Sequence, residues 1–229
     1  MSKPHLLFLH GALGSKQQFQ ELTTKLSDSF TCHAINLPGH GGELIPPGGL
    51  GFDGFASAIL AYLNKENITS THLMGFSMGG YAALYFAHKH PDRVNKILTL
   101  NVKFNWDPIS TAKETGMLDP DKMMEKIPGY ANNLILQHGM NLWKNLLAGT
   151  SEMMKKLAET VVLSEAELAE IKHPVLLGIG DRDKTSSVAE TLKVFSLLPD
   201  ARLWVLPDTA HPFEKIPLSR LETEIRLFF

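Results

Sequence analysis

Strand-length apolar runs recur along the chain, at residues 5–9, 31–36, 71–74, 96–100, 175–179 and 203–206, each bounded by turn-forming residues. Most are near-continuous in apolar character rather than alternating, as strands covered on both faces of a parallel sheet require. Between them lie segments with apolar residues at helical period, 16–26, 52–67, 78–88, 187–197 and 212–228. Strand and helix therefore alternate. That pattern predicts an α/β fold with a mostly parallel, doubly wound sheet of about six strands.

The alternation stops between residues 103 and 170. This stretch reads as short helical pieces at 108–115, 120–127, 130–139, 141–148 and 151–160, separated by Gly and Pro. Ser164-Glu165-Ala166-Glu167 fits a capping box that opens one more helix, and Pro174 ends it before the next strand. The expected organisation is a core domain from residues 1–102 and 171–229, interrupted by a helical cap over 103–170. Such an insertion is expected to lie over the sheet's carboxyl edge, where open α/β sheets bind ligands.

Charge excludes several function classes. With 22 Lys+Arg against 24 Asp+Glu, the chain has no basic stripe for nucleic acid and no acidic arm. The single cysteine, Cys32, precludes an intramolecular disulfide and a cysteine zinc cluster, and its place in an apolar run predicts a buried, unreactive thiol. The apolar run in MSKPHLLFLHG is too short for a secretory signal, and no stretch is long enough to span a membrane. A reduced, cytoplasmic compartment and a small-molecule partner are the expectation; oligomeric state is not readable.

The chemistry concentrates at Gly75-Phe76-Ser77-Met78-Gly79-Gly80, between a strand and a helix. A G-x-S-x-G sequence in that context forms a nucleophile elbow, a sharp turn that exposes a serine. Gly75 and Gly79 are needed because side chains there would collide with the neighbouring strand and helix. The helix N-terminus adds partial positive charge near Ser77. In isolation the five residues would be an ordinary glycine-rich bend; the strand–turn–helix setting favours a nucleophile.

A serine nucleophile needs a base, and the base an orienting carboxylate, in the chain order Ser, Asp/Glu, His. Asp181 and Asp183 both follow the run at 175–179, and His211 follows the run at 203–206. His5, His33 and His72 lie in or beside strands; His88, His90 and His173 lie near helix ends and linkers. His138 falls in the cap and is expected to face solvent. His10 and His40 precede Ser77 and are expected to brace their loops. For the oxyanion, the N–H of Met78 is one donor and the loop His10-Gly11-Ala12-Leu13-Gly14 supplies the other. Ala12 is the assigned residue, with Leu13 as the competitor.

Together LLFLHGALGS, INLPGHG, MGFSMGG, HPDRV, GDRD and the late AHP resemble the α/β-hydrolase superfamily over most of the chain outside the cap. Within it the chain is similar to small esterases and to a lyase that makes a menaquinone precursor. The resemblance implies an acid at the last position of G-x-x-D, which selects Asp183 and leaves Asp181 as a turn residue bonding local amides. It implies a Ser77–His211–Asp183 triad and no metal or organic cofactor. Two departures stand out: the family's usual first pair of strands is missing, and the cap contains no arginine, the natural fork for a polyanionic substrate.

The reading that follows is a serine hydrolase of esters or thioesters. A lyase or carbon–carbon hydrolase with the same triad, and a non-catalytic ligand receptor, are the alternatives. Dehalogenase and epoxide-hydrolase chemistries are disfavoured, since those relatives carry an aspartate where Ser77 stands. The cap's Met117, Met123, Met124, Met140, Met153 and Met154, with Trp106 and Trp143, are expected mostly to form its own core and secondarily an adaptable apolar pocket. The glycine- and proline-rich loop over 41–49 is expected to border that pocket.

Overall fold

The computed structural model describes residues 3–229. Six strands form one sheet: β1 (His5–Leu9), β2 (Thr31–Ile35), β3 (Thr71–Phe76), β4 (Val94–Leu100), β5 (Val175–Gly180) and β6 (Ala201–Leu206). Their spatial order is β2-β1-β3-β4-β5-β6, and every adjacent pair is parallel. The direction of winding reverses at β1, which lies between β2 and β3, as in a doubly wound sheet.

The strands bury both faces, which explains their continuous apolar character. Leu7, Leu9, Leu73, Ile97 and Leu177 join one core cluster, while Leu6, Phe8, Met74, Leu98 and Leu176 join the other. The period-two split follows from side chains alternating across a strand. The second face is covered by α1 (Gln20–Leu26) and the late helix α10 (Leu218–Phe228), through Leu22, Leu26, Leu221 and Ile225. The first is covered by α2 (Phe52–Lys65), α3 (Met78–Lys89) and α9 (Val188–Leu197), through Phe55, Ile59, Ala83, Phe86 and Val194.

Helix α3 lies close against the sheet because Gly79 and Gly80 in its first turn put no side chain between helix and sheet. A Cβ on Gly79 would overlap the carbonyls of Leu9 and His10, and one on Gly80 would overlap Val102. Cys32, on the edge strand β2, is only half-buried rather than fully enclosed, since no further strand covers that side. Desolvation still pushes its thiol up to about 11, so it stays protonated.

Between β4 and β5 the chain forms α4 (Pro108–Gly116), α5 (Pro120–Lys126), α6 (Pro128–His138), α7 (Trp143–Glu159) and α8 (Glu165–Glu170). Asp107 and Asp119 cap the first two, each accepting from two backbone amides, and Ser164 opens α8 with the expected capping box. Two pieces expected over 141–160 are one continuous helix, α7. Gly149 does not break it; the missing side chain instead admits Ile45 Cδ1, which would lie 3.1 Å from a Cβ there. Segments expected as single helices at both ends of the chain are divided: a 3-10 turn, Lys16–Phe19, precedes α1, and Pro217 separates the turn Phe213–Lys215 from α10. Among the described residues no helix is long and apolar enough to cross a membrane.

Three histidines tie loops together at the carboxyl edge. His10 Nε2 accepts from the Leu37 amide at 3.0 Å, so Nδ1–H donates to the Gly11 carbonyl at 2.8 Å. The His40 ring packs between His10, tilted at 52° with centroids 4.8 Å apart, and His138, edge-on at 6.0 Å. His10 and His40 thus brace their loops as expected. His138, expected in solvent, is 1% exposed. It faces inward because α6 ends against the loops after β1 and β2, where both ring nitrogens find backbone partners. Burial holds His10 down to about 4 and keeps His40 and His138 below the ordinary imidazole range, with mutual repulsion adding to the depression of His10 and His40.

Two outcomes follow from this packing. Gly79→Ala should cost about 3 kcal/mol or more by overpacking backbone against backbone, read as a lowered midpoint in urea unfolding. Acid should also destabilise the protein. The unfolded state takes up protons at these histidines near pH 6.5, the folded state only near 4 for His10, so stability rises with pH across that window. Lowering the pH through it should remove about 3 kcal/mol for His10 alone, checked by urea unfolding at stepped pH.

Candidate active site

Ser77 occupies the turn between β3 and α3 with φ 50° and ψ −118°, a left-handed conformation for a non-glycine residue. Its amide donates to the Leu100 carbonyl of β4 at 2.8 Å, and its carbonyl accepts from the amides of Gly80 and Tyr81. A Cβ on Gly75 would overlap the backbone of Gly79 and Gly80, so the turn closes this tightly only with glycine there.

The other two residues arrive on the loops after β5 and β6. Ser77 Oγ lies 3.1 Å from His211 Nε2, and His211 Nδ1 lies 2.7 Å from Asp183 Oδ2. The Asp183 side chain is fully enclosed. Burial alone would raise its pKa, but the hydrogen bond and charge of His211, with the amides of Ser186 and Thr185, outweigh it and hold the carboxyl below its usual range. An ionised Asp183 keeps the proton on His211 Nδ1 and turns the Nε2 lone pair toward Ser77. Asp181 is not a purely local turn residue: it accepts from the Thr209 amide at 3.3 Å, across to the loop carrying His211.

Two supporting residues, Asn101 and Ser186, escaped the sequence reading, and a third, His138, was expected in solvent. Asn101 is buried with φ 53°; its Oδ1 accepts from the Gly180 amide at 2.9 Å, and its Nδ2 donates to the carbonyls of Ala210 and His211. One side chain therefore joins the ends of β4 and β5 to the histidine loop. Ser186 Oγ donates to Asp183 Oδ2 at 2.8 Å and sits 3.4 Å from His211 Nδ1. His138 holds the loop after β1. The only sequence signal for Asn101 is its position directly after a strand run, at the edge where Asp183 and His211 also stand.

The loop after β1 reaches Ser77 through Gly11: a Cβ there would lie 2.8 Å from Phe76 Cδ1 and 3.2 Å from Ser77 Cβ. Ala12, Leu13 and Met78 line the same cavity as Ser77 and His211. Met78 is the first residue of α3, where an amide has no intrahelical acceptor.

This cavity holds about 600 Å³ and lies between the sheet's carboxyl edge and the helical insertion. Met117, Met123, Met153 and Met154 line it with Trp106, so more of the methionines face the cavity than expected; Met124 and Met140 do not, and Trp143 is buried elsewhere. The loop over 41–49 does not line it, because Ile45 packs on Gly149 instead. Charged lining residues are Lys103, Glu114 and Glu214, and no arginine is among the described lining residues.

Comparison with known proteins agrees with this architecture. The chain is 26% identical, across 95% of both chains, to a pimeloyl-[acyl-carrier protein] methyl ester esterase of Aromatoleum aromaticum. Over 38% of its length, and 33% of the relative's, it is 35% identical to a 2-succinyl-6-hydroxy-2,4-cyclohexadiene-1-carboxylate synthase of an Enterobacter species. Among solved structures, a 2-hydroxy-6-oxo-6-phenylhexa-2,4-dienoate hydrolase from a Rhodococcus species superposes with a TM-score of 0.83 at 21% identity, covering 99% of this chain and 90% of that one. The family profile described as alpha/beta hydrolase fold matches residues 4–162, and with the six-stranded parallel sheet in place the chain belongs to the α/β-hydrolase family.

Proposed function

We propose that the protein is a serine hydrolase that cleaves a carboxylic ester or thioester of a small, largely apolar substrate. The observation that carries this reading is the unbroken line from Ser77 Oγ to His211 (3.1 Å) to a buried Asp183 (2.7 Å), opening on the cavity. In this mechanism Ser77 Oγ attacks the carbonyl carbon while its proton passes to His211 Nε2. Asp183 holds the imidazole and stabilises its charged form. The amides of Met78 and Ala12 take the negative charge on the carbonyl oxygen. His211 then protonates the leaving alcohol or thiol, leaving an acyl-enzyme. Water, deprotonated by His211, releases the acid and restores Ser77. Apart from substrate and water, each step uses only side chains and amides of this chain; no metal or organic cofactor enters.

The cap role of residues 103–170 is part of the proposal: their methionines and Trp106 form the apolar wall for the acyl or alkyl group. The esterase relative named above matches the chain over nearly its whole length, which favours ester chemistry. A carbon–carbon hydrolase or lyase is the second reading, supported by the synthase relative, in which the same Ser77–His211 pair would act as a base. The lack of arginine in the lining weighs against a polyanionic substrate. A non-catalytic receptor would have no use for three aligned side chains.

Ser77→Ala should lower kcat for p-nitrophenyl esters at least about 10³-fold, and Asp183→Asn about 10⁴-fold through loss of the imidazole tautomer. Steady-state kinetics check both, beside an assay for cleavage of vinylogous diketone acids. Wild-type ester turnover by Ser77→Ala would refute the nucleophile assignment.

A further inference from the structure

We infer that the helical insertion holds the oxyanion loop in its working geometry through Gln137 and His138, and that His138 is a positioning residue for the chemistry at Ser77. The inference rests on the ester-hydrolase reading for its kinetic consequence, but the contact itself does not.

The ring nitrogens of His138 leave one assignment. The Gly41 amide can only donate, so Nδ1 accepts it at 2.9 Å; Nε2 then carries the proton and donates to the Leu13 carbonyl at 3.0 Å. The imidazole is buried and neutral, and a second proton would cost it the Gly41 bond. Gln137, the preceding residue, donates its side-chain amide to the hydroxyl of the fully buried Ser15. Two consecutive residues at the end of α6 thus grip both sides of Leu13-Gly14. Gly139, with φ 94°, ends the helix at that point, so the pair is the final turn of α6.

What they grip is a strained loop. Leu13 is non-glycine yet has φ 59°, a conformation that persists only when surroundings impose it. The other restraints lie within the loop itself: His10 donates to the Gly11 carbonyl, and the Gly14 amide donates to the same oxygen at 3.0 Å. The Leu13 carbonyl that His138 holds shares its peptide plane with the Gly14 amide, which donates to the Gly11 carbonyl; that carbonyl shares its plane with the Ala12 amide, so the restraint passes from one peptide to the next and reaches the residue that lines the cavity with Ser77. Without His138, the Leu13 carbonyl loses its partner and the strained turn loses one of the two side-chain bonds that tie it to the insertion. Gln137 also lines the substrate cavity. A substrate seated under the insertion therefore meets one of the two residues that hold the oxyanion loop.

The test compares His138→Leu, which keeps bulk and removes both bonds, with His138→Gln, which retains one donor and one acceptor. Steady-state kinetics on p-nitrophenyl butyrate and amide hydrogen exchange are measured on the same full-length samples. His138→Leu should lower kcat roughly 10–100-fold, below the full effect of removing an oxyanion donor, with KM within about two-fold. It should also speed exchange in peptides covering residues 10–15 while leaving those covering Ser77 unchanged. His138→Gln should recover most of kcat. A folded His138→Leu variant with wild-type kcat, or with kcat lost while exchange at 10–15 is unaltered, overturns the inference. Should His138→Leu not fold, Gln137→Leu severs the second bond and is read the same way. If Ser77→Ala shows the ester reading to be wrong, the exchange comparison alone still decides whether the insertion holds this loop.

Discussion

Ser77 sits at φ 50°, and the geometry of the whole carboxyl edge depends on that one strained turn being held. The cost of such a conformation, about 1–3 kcal/mol, has to be met by surrounding packing. Here the restraint comes from three directions: the Leu100 carbonyl takes the Ser77 amide, the first turn of α3 takes its carbonyl, and backbone fills the space beside Gly75 and Gly79. Because those contacts are mainly backbone to backbone, the hydroxyl's position is set by the sheet itself. A side chain on a loop would wander; a side chain forced out of a packed strand–helix corner does not.

A second frame brings the partners to that fixed point. Asp183 and His211 stand on loops after adjacent parallel strands, so sheet register alone places them close. Short polar residues complete the alignment. Asn101 joins the ends of β4 and β5 to the loop carrying His211, Asp181 reaches the Thr209 amide, and Ser186 shares Asp183 Oδ2 with His211. Each satisfies buried backbone or carboxylate groups that would otherwise be costly to leave unpaired. The same bonds that make the edge stable therefore make it preorganised.

Much of this was legible in the sequence, for identifiable reasons. Parallel strands buried on both faces produce continuous apolar runs, so all six were found, with ends off by a residue or two: Phe76, Val94, Gly180 and Ala201 extend the ladder, and β2 stops at Ile35. Gly75-x-Ser77-x-Gly79 was readable because backbone collision admits no other residue there. The insertion was less legible. Helical period marked its elements, but Gly149 read as a break when it is a contact site for Ile45. The direction in which His138 points depends on how α6 docks, and no local pattern encodes that. Asn101 and Ser186 were missed because a lone Asn or Ser after a strand looks like any turn residue until its partners, far along the chain, are in place.

The methionine-lined wall and the few charged groups shape what can enter the cavity, whereas the proposed chemistry depends on Ser77 as the nucleophile. Intact-protein mass spectrometry after treatment with a fluorophosphonate, followed by peptide mapping, tests this most directly. The account predicts one adduct per folded chain, located on Ser77, and strongly slowed labelling when His211 is replaced by Ala. An unlabelled folded protein, or an adduct on another residue with Ser77 unmodified, would contradict it.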